Sequence, residues 1–319
     1  MSANLDFARS HLSEIRQAAD RIRPHIRHTP ALTVDLDSRL VLKPECFQVT
    51  GSFKVRGAFN AVLKLASDAP GVVTASSGNH AQAVALAART AGLSALILIP
   101  EGANPAKVAA TRAFGAEVVS EGITFANRDE KLVEAAERSG YVLVHPYDDW
   151  DVIHGQGTGA LELLEDAPDL VAVAIPVGGG GQISGWALAI KATNPAVQVI
   201  GVEPAAADDA FRSFRTGTLQ RLAGPANTIA DGVKTVSLGA KNFEVLVSNG
   251  LMDDIVTVTE PEIEEALLTA WLRCKIALEP TGALTLAAFL AGKLPAAGRI
   301  GLVLSGGNAD AALVARLLQ

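Results

Sequence analysis

The sequence predicts an α/β fold in which open, twisted and mainly parallel sheets are flanked by helices. Short aliphatic or β-branched runs recur along the 319 residues, and Ala- and Leu-rich helical stretches lie between most of them. Alternation of this kind favours parallel strands, because each helix returns the chain across the sheet. Loops rich in glycine and serine follow several of the runs. In such sheets ligands bind at the carboxyl ends of the strands, so these loops are candidate site loops.

The elements follow in chain order. The first is an amphipathic helix whose apolar residues recur at spacings of three and four, and Pro24 ends or kinks it. Its apolar positions are Leu12, Ile15, Ala19, Ile22 and Ile26. The predicted strands lie at 40–42, 72–75, 95–99, 117–119, 141–144, 170–177, 197–202, 255–258 and 300–304. Gly92 and Gly140 stand just past two intervening helices, where a left-handed glycine commonly ends a helix.

Composition and charge exclude several classes of protein. The formal net charge is −7 and no Lys/Arg cluster suggests a nucleic-acid face. No apolar run approaches the ~20 residues needed to span a bilayer, and the first residues lack the order of a signal peptide. Cys46 and Cys274 have no metal-ligand spacing and are expected to be reduced thiols. We therefore expect a cytoplasmic protein that binds neither nucleic acid nor membrane.

One lysine stands in an unusual loop, Gly51-Ser52-Phe53-Lys54-Val55-Arg56-Gly57, soon after the first predicted strand. A solvated surface lysine is the ordinary interpretation, but it needs no bracket of small and flexible residues. A lysine that must reach a carbonyl and form a Schiff base does need one. Burial there would lower the pKa of the amine, and a neutral amine acts as nucleophile and base. Lys54 is therefore the candidate reactive lysine.

Four consecutive glycines, Gly178, Gly179, Gly180 and Gly181, connect the predicted strand at 170–177 to a helix-like stretch. Glycines at such a turn let several backbone N–H groups point at one anion, and the helix N-terminus adds positive potential. This pattern predicts a phosphate-binding loop rather than a flexible linker. Neither a Walker lysine nor a dinucleotide fingerprint accompanies it.

Two further loops follow predicted strands. Ser76-Ser77-Gly78-Asn79-His80 stands at a helix start, where free N–H groups suit a carboxylate, although an ordinary N-cap and a structural His80 stay open. Ser305-Gly306-Gly307-Asn308 is either a turn or a loop whose hydroxyl bonds a pyridine nitrogen. Glu203, Asp208 and Asp209 suit either a solvated helix start or an oxygen-ligand cation.

Together these loops resemble the fold-type II pyridoxal phosphate (PLP) enzymes, in particular the serine/threonine dehydratase and serine racemase branch. The resemblance extends from about Ile26 to Asn308. The pieces that carry it are Lys43-Pro44-Glu45, Thr50 to Gly57, Ser76 to Gln82, His145-Pro146, Gly155-Gln156-Gly157-Thr158, Pro176 to Gly181, Ile229 to Lys234, Glu279-Pro280-Thr281-Gly282 and Leu304 to Asn308. It implies two open twisted sheets in a tryptophan-synthase β-like fold. A large PLP-binding domain at 1–70 and 149–319 would hold a small mobile domain at 71–148.

The resemblance also implies how the cofactor is held. Lys54 would bind PLP as an imine, and Phe53 would pack against its ring. Asn79 would bind the phenolate oxygen, Gly178 to Gly181 the phosphate, and Ser305 the pyridine nitrogen. A serine at the last position would leave that nitrogen unprotonated.

Substrate and cation sites are implied in the same way. The loop Ser76-Ser77-Gly78-Asn79-His80 would hold the substrate carboxylate, and Arg128 would help to close the small domain over a hydroxy amino acid. Glu203, the Ala207 carbonyl and Asp209 would bind Mg²⁺, or Ca²⁺ or Mn²⁺. A homodimer is the usual assembly of the branch.

The implied reaction is β-elimination of water from L-threonine or L-serine, which gives a 2-keto acid and ammonia. The alternative is a serine racemase or threo-3-hydroxyaspartate dehydratase, or an enzyme with both activities. Racemisation needs a second acid–base group opposite Lys54, and Ser77 stands where the racemase branch has serine and many threonine dehydratases have alanine. Intact Lys54, Asn79 and Ser305 disfavour a non-catalytic binding protein. His80 and Gly307-Asn308 disfavour β-replacement by a sulfur nucleophile.

Overall fold

A computed structural model describes residues 2–65, 69–103, 105–124, 126–295 and 297–317. The helices are α1 Ser2–Ile22, α2 Lys54–Leu63, α3 Asn79–Ala91, α4 Pro105–Ala113, α5 Arg128–Ser139, α6 Trp150–Asp166, α7 Gly181–Thr193, α8 Asp209–Thr216, α9 Ala240–Phe243, α10 Glu260–Thr269, α11 Pro280–Leu290 and α12 Ala311–Leu317. The strands are β1 Leu40–Pro44, β2 Gly71–Ala75, β3 Ser94–Leu98, β4 Glu117–Val119, β5 Val142–Leu143, β6 Leu170–Pro176, β7 Gln198–Pro204, β8 Asp254–Val258 and β9 Arg299–Leu304. Short π-helical turns extend α9 and α10.

The strands form two sheets, and every strand pair in them is parallel. The larger sheet has the order β1-β9-β6-β7-β8, and the smaller sheet has the order β4-β3-β2-β5. The α/β class predicted from strand–helix alternation is therefore confirmed. In the larger sheet β1 pairs with β9, so a strand from the N-terminal part of the sequence lies beside one from the C-terminal part. The strands of the smaller sheet all come from the intervening stretch, 71–143.

Helices cover both faces of the larger sheet. One apolar cluster packs α1, α6 and α7 against one face, and a second packs α10 and α11 against the other. All five residues of β1 are buried as a result. This double burial explains why the strands read as continuous aliphatic runs rather than as alternating ones. Among the described residues, no helix is both long and apolar enough to cross a membrane.

Helix boundaries follow the predicted signals with one exception. Gly92 and Gly140 end α3 and α5 in the left-handed conformation, as predicted. Helix α1 begins at Ser2, well before the predicted apolar pattern, and it ends at Ile22, so the predicted position Ile26 lies outside it. Helix α1 packs on α6 and α7, and Phe7 and Ala8 already belong to that apolar cluster.

The glycines of α6 bring three helices close together. A side chain at Gly155 would collide with the backbone of Arg56 in α2, and one at Gly157 would meet the Gly185 carbonyl in α7. The motif Gly155-Gln156-Gly157-Thr158 therefore has a packing role. It lets α2, which carries the reactive-lysine candidate, pack closely against α6.

Candidate active site

Lys54 is the first residue of α2 and follows a loop that is tied to the end of β9. The Phe53 N–H donates to the Ser305 carbonyl at 3.1 Å, and the Gly307 N–H donates to the Gly51 carbonyl at 2.9 Å. Gly51 has a φ of 74°, which favours glycine, and a side chain there would press on Asn308. The lysine loop and the Ser305 loop, which are far apart in sequence, are therefore held together at one corner of the structure.

The Lys54 amine donates to the Pro146 carbonyl at 2.9 Å and lies 5.0 Å from the centre of the Phe53 ring. Burial lowers the pKa of Lys54 to about 8, and the charge of Glu279 opposes that shift only in part. At pH 7 roughly 10% of such an amine is neutral, far more than for a solvated lysine. The nucleophile predicted from the sequence thus has the electrostatic setting that its proposed chemistry needs.

The Ser305 hydroxyl, 1% exposed as a residue, has no hydrogen-bond partner among the described residues. The Ser52 and Thr50 hydroxyls of the lysine loop are also buried without a hydrogen-bond partner among the described residues. A buried hydroxyl without a partner costs free energy, so a cluster of them at one corner indicates a ligand that completes their bonding. The donor and acceptor chemistry fits the pyridine nitrogen predicted for Ser305.

The tetraglycine loop joins β6 to α7 and is closed by another segment of the chain. Gly180 has a φ of 92° and precedes the helix, and its carbonyl accepts the first helical bond from Ser184. A side chain at Gly179 would collide with the Tyr147 ring, and one at Gly181 would meet the Tyr147 backbone. The first N–H groups of α7 therefore stand in a loop lined by backbone, which suits a phosphate.

The Asn79 loop opens α3, and the Asn79 side chain bonds to the Ser305 loop and to Glu279. Asn79 Nδ2 donates to Glu279 Oε1 at 2.7 Å, and Asn308 Nδ2 donates to Asn79 Oδ1 at 2.8 Å. Ser76 Oγ accepts from the Gly78 N–H at 3.3 Å. The Ser77 hydroxyl bonds to none of the described residues. Hydrogen bonds thus link three of the four loops singled out from the sequence. The Pro146 carbonyl accepts from Lys54, and the neighbouring Tyr147 lies against the tetraglycine loop.

His80 faces away from this bonding. Its Nε2 donates to the Val144 carbonyl at 3.1 Å, and its Nδ1 has no partner among the described residues. Burial, reinforced by the charge of Lys54, lowers the pKa of His80 to about 3. The imidazole is therefore neutral and favours the structural interpretation of this residue over a charged contact with a carboxylate.

Arg128 begins α5, and its Nε lies 3.3 Å from Asp129 Oδ1. Burial raises the pKa of Tyr147, and the charge of Arg128 opposes that rise. Movement of Arg128 over a substrate stays a prediction.

The predicted cation ligands surround the start of α8. Glu203 accepts from the N–H groups of Ala210 and Phe211 at 3.2 and 2.9 Å, whereas Asp209 Oδ2 is buried without a partner among the described residues. Burial and the charge of Asp209 raise the pKa of Glu203, and burial raises the pKa of Asp209 to about 7. The described part of the chain contains no group of three or more His, Cys, Asp or Glu residues that could hold a metal.

Sequence reasoning gave no role to three groups at this site: Glu279, the Pro146 carbonyl and Tyr147. Glu279 is 3% exposed, and burial raises its pKa to about 7. In the sequence it stands before Pro280, where an acid reads as an ordinary helix start. Only the juxtaposition with Asn79 distinguishes it.

Comparison with known proteins gives a consistent set of relatives. A family model described as "Pyridoxal-phosphate dependent enzyme" matches residues 22–306. Serine racemase of Arabidopsis thaliana is 43% identical over 323 residues, covering 97% of this chain and 96% of that protein. L-threo-3-hydroxyaspartate ammonia-lyase of Saccharomyces cerevisiae is 40% identical, covering 96% of this chain and 95% of that protein. The solved structure of maize serine racemase has a TM-score of 0.91 and 38% identity, covering 96% of each chain.

Proposed function

Since the chain belongs to the pyridoxal-phosphate dependent enzyme family, we propose that it eliminates water from L-threonine or L-serine to give a 2-keto acid and ammonia. The observation that carries the proposal is the Lys54 amine: its pKa is lowered to about 8, and its loop is bonded to the loop that carries Ser305. Relatives named as ammonia-lyases and as serine racemases both fit this site.

The residues present suit the cofactor. The N–H groups of Gly178 to Gly181 and of the first turn of α7 would hold the phosphate, and Ser305 would bond the ring nitrogen. Asn79 would donate to the phenolate oxygen, and Phe53 would pack against the ring. When bound, PLP supplies an electron sink for bonds that break at the substrate Cα.

The chain's own groups would then move the protons. Lys54 Nζ, neutral in part at pH 7, would take the proton from the substrate Cα. The Pro146 carbonyl accepts from this amine in the structure and would release it on reaction. The N–H groups at the start of α3 would bind the substrate carboxylate, and Arg128 would help to exclude water by closing toward Tyr147.

Reduction with borohydride in the presence of PLP, followed by peptide mapping, tests the proposal. We expect a pyridoxyl group on the peptide that contains Lys54 and on no other. A Lys64→Ala variant serves as the control, because Lys64 ends the same helix on the protein surface and should leave labelling unchanged. Labelling of another lysine, or of none, would contradict the proposal.

Racemisation of serine is the second candidate, and two observations favour it. Several relatives are named serine racemases, and the Ser77 hydroxyl, partly buried, is bonded to none of the described residues. Incubation with L-serine and measurement of both pyruvate and D-serine separates the two reactions. We expect pyruvate to exceed D-serine. If D-serine dominates, and Ser77→Ala removes it while pyruvate formation persists, racemisation is the main activity.

The remaining predictions join this proposal. A divalent cation at Glu203, Asp209 and the Ala207 carbonyl is supported by the buried Asp209 oxygen, which bonds to none of the described residues. The family resemblance supports a mobile 71–148 domain and a homodimer, and the composition of the chain supports a cytoplasmic location. Keto-acid formation from serine, threonine and 3-hydroxyaspartate, with Mg²⁺ or with a chelator, tests the cation and the substrate preference. Size-exclusion chromatography of the holoenzyme tests the dimer.

A further inference from the structure

Resting on the proposed function, we propose that Glu279 and Asn308 are positioning residues that orient the Asn79 carboxamide toward the cofactor. Neither residue has a role among those predicted for the cofactor or substrate. The three side chains form one chain of hydrogen bonds that starts at the Thr50 carbonyl in the lysine loop and ends at Glu279 before α11.

The Thr50 carbonyl fixes the donor and the acceptor of every hydrogen bond in this series. The Thr50 carbonyl can only accept, so Asn308 must turn its NH₂ group toward it, at 2.8 Å. The same Nδ2 donates to Asn79 at 2.8 Å, and this uses its second hydrogen. Asn79 must therefore present its oxygen to Asn308 and its NH₂ group to Glu279.

Glu279 closes the chain at its other end. Its Oε1 accepts from Asn79 Nδ2 at 2.7 Å, and its backbone N–H donates to the Gly306 carbonyl at 3.2 Å. A flipped Asn79 would set two oxygens against each other at Glu279 and two NH₂ groups against each other at Asn308. Both ends thus exclude the flipped amide, and one Asn79 N–H stays available to a ligand.

The glycine after Ser305 makes room for this arrangement. A side chain at Gly306 would collide with Glu279 Oε1 and would also reach Asn79 Nδ2. The Asn79–Glu279 bond therefore passes directly beside the loop whose Ser305 hydroxyl lacks a partner within the described residues. The available Asn79 N–H and the Ser305 hydroxyl are held in fixed relation by the same few residues.

Within the described residues, no ion pair to Glu279 was found, although Lys54 and Lys107 act on it at longer range. A buried carboxyl kept near cations without a salt bridge contributes little to stability. It serves as an acceptor whose place is set by the backbone. Oε1 can accept whether or not Oε2 carries a proton, so the orientation of Asn79 persists in both states.

A double-mutant cycle tests the inference through affinity rather than turnover. Removal of PLP and titration of the apoprotein, followed by absorption and fluorescence, gives the dissociation constant for each variant. We expect Glu279→Ala to weaken PLP binding about tenfold and to shift the visible absorption band of the bound cofactor. Glu279→Gln keeps an acceptor at the same place and should stay within about twofold of wild type.

The decisive measurement is Glu279→Ala in an Asn79→Ala background. If Glu279 acts through Asn79, the second substitution adds nothing to the first, because interacting sites are not additive. Asn308→Ala should behave like Glu279→Ala in the same cycle, and it replaces that variant if the latter fails to fold. Glu262→Ala, which removes a hydrogen-bonded carboxylate at the start of α10, should leave the affinity and the spectrum unchanged.

Three results would overturn the inference: additive effects in the cycle, equal losses in Glu279→Ala and Glu279→Gln, or an unchanged spectrum in Glu279→Ala. Its failure differs from that of the proposed function. If the wild-type chain takes no PLP on Lys54, the proposed function fails and the inference with it. If wild type is labelled but the cycle is additive, only the inference fails.

Discussion

Two cations stand two residues apart on α2, Arg56 fully buried and Lys54 partly buried, and their surroundings shift their pKa values in opposite directions. Arg56 is fully buried and donates to Glu45 at 2.7 and 2.8 Å and to Glu162 at 2.7 Å. Burial alone would lower the pKa of Arg56, but Glu45 and Glu162 outweigh it and raise that pKa. Lys54 has a carbonyl as its hydrogen-bond acceptor, and its pKa is lowered to about 8.

The difference shows that the hydrogen-bond partners of a cation in the protein interior determine whether it stays charged. Two carboxylates hold the Arg56 charge permanently and connect α2 to α6. A neutral acceptor leaves the Lys54 charge unstable and its amine reactive. Lys43 lies between these cases: it bonds Glu162 at 2.8 Å, yet burial still lowers its pKa. One carboxylate shared with Arg56 does not offset full burial.

The largest expected effect comes from replacing Lys54, whose amine donates to the Pro146 carbonyl. Lys54→Ala should lower turnover at least about 10³-fold, because both the cofactor attachment and the base are lost. The free energy of unfolding of the apoprotein should stay the same or rise, since a costly buried amine is gone. Ammonia release from serine or threonine and urea denaturation measure the two quantities. Turnover near the wild-type value would break the comparison.

Replacing Arg56, which is paired with carboxylates, should instead lower the stability of the apoprotein. Arg56→Met leaves Glu45 buried without its main partner, so the free energy of unfolding should fall by about 3–5 kcal/mol. Urea denaturation of the apoprotein measures it. Arg39→Met is the matched control, because the Arg39–Asp37 pair lies near the solvent and its loss should cost much less. Equal losses in the two variants would show that burial of the Arg56 network contributes nothing.

A partly buried pair of histidines, His11 on α1 and His154 on α6, extends the comparison. His11 Nδ1 and His154 Nε2 lie 2.8 Å apart, and His11 stacks on Trp150. Burial lowers the pKa of both, that of His154 to about 4. The unfolded chain therefore binds protons between about pH 6.5 and 4 that the folded chain does not.

Stability should consequently fall as the pH drops through that window, by at most about 3 kcal/mol for His154. His154→Gln should flatten the dependence of the unfolding free energy on pH. His28→Gln, which removes an exposed histidine beside Asp166, serves as the control and should keep the wild-type slope. Identical slopes in all three proteins would mean that the pair is not held neutral by the fold.

The smallest effect concerns the Ser305 hydroxyl, at the corner that also carries Lys54. Ser305→Ala should change the free energy of unfolding of the apoprotein by no more than about 1 kcal/mol, and toward greater stability. Its affinity for PLP should fall about tenfold, which a titration of the apoprotein measures. A clear loss of apoprotein stability would show that the hydroxyl serves the fold rather than a ligand.

Much of this arrangement could be predicted from the sequence. Lys54, Asn79, the glycines at 178–181 and Ser305 could be singled out as candidates because each stands in a loop after a strand or at the start of a helix. Local rules cover such junctions: glycine marks a special backbone, and serine or asparagine marks a helix start. Glu279 and Tyr147 escaped because they follow no local rule, and their importance depends on which residues they touch.

The sequence by itself determined the α/β class, the order of strands and helices along the chain, and which loops are candidate site loops. These depend on local periodicity and on short motifs, which a single chain displays openly. Only the tertiary structure decided that β1 lies beside β9, that Ser305 and Phe53 share a corner, and that Asn79 is clamped between Asn308 and Glu279. It also decided that Arg56 is paired with carboxylates while Lys54 meets a carbonyl, because the pKa of a buried group depends on neighbours that lie far away in sequence.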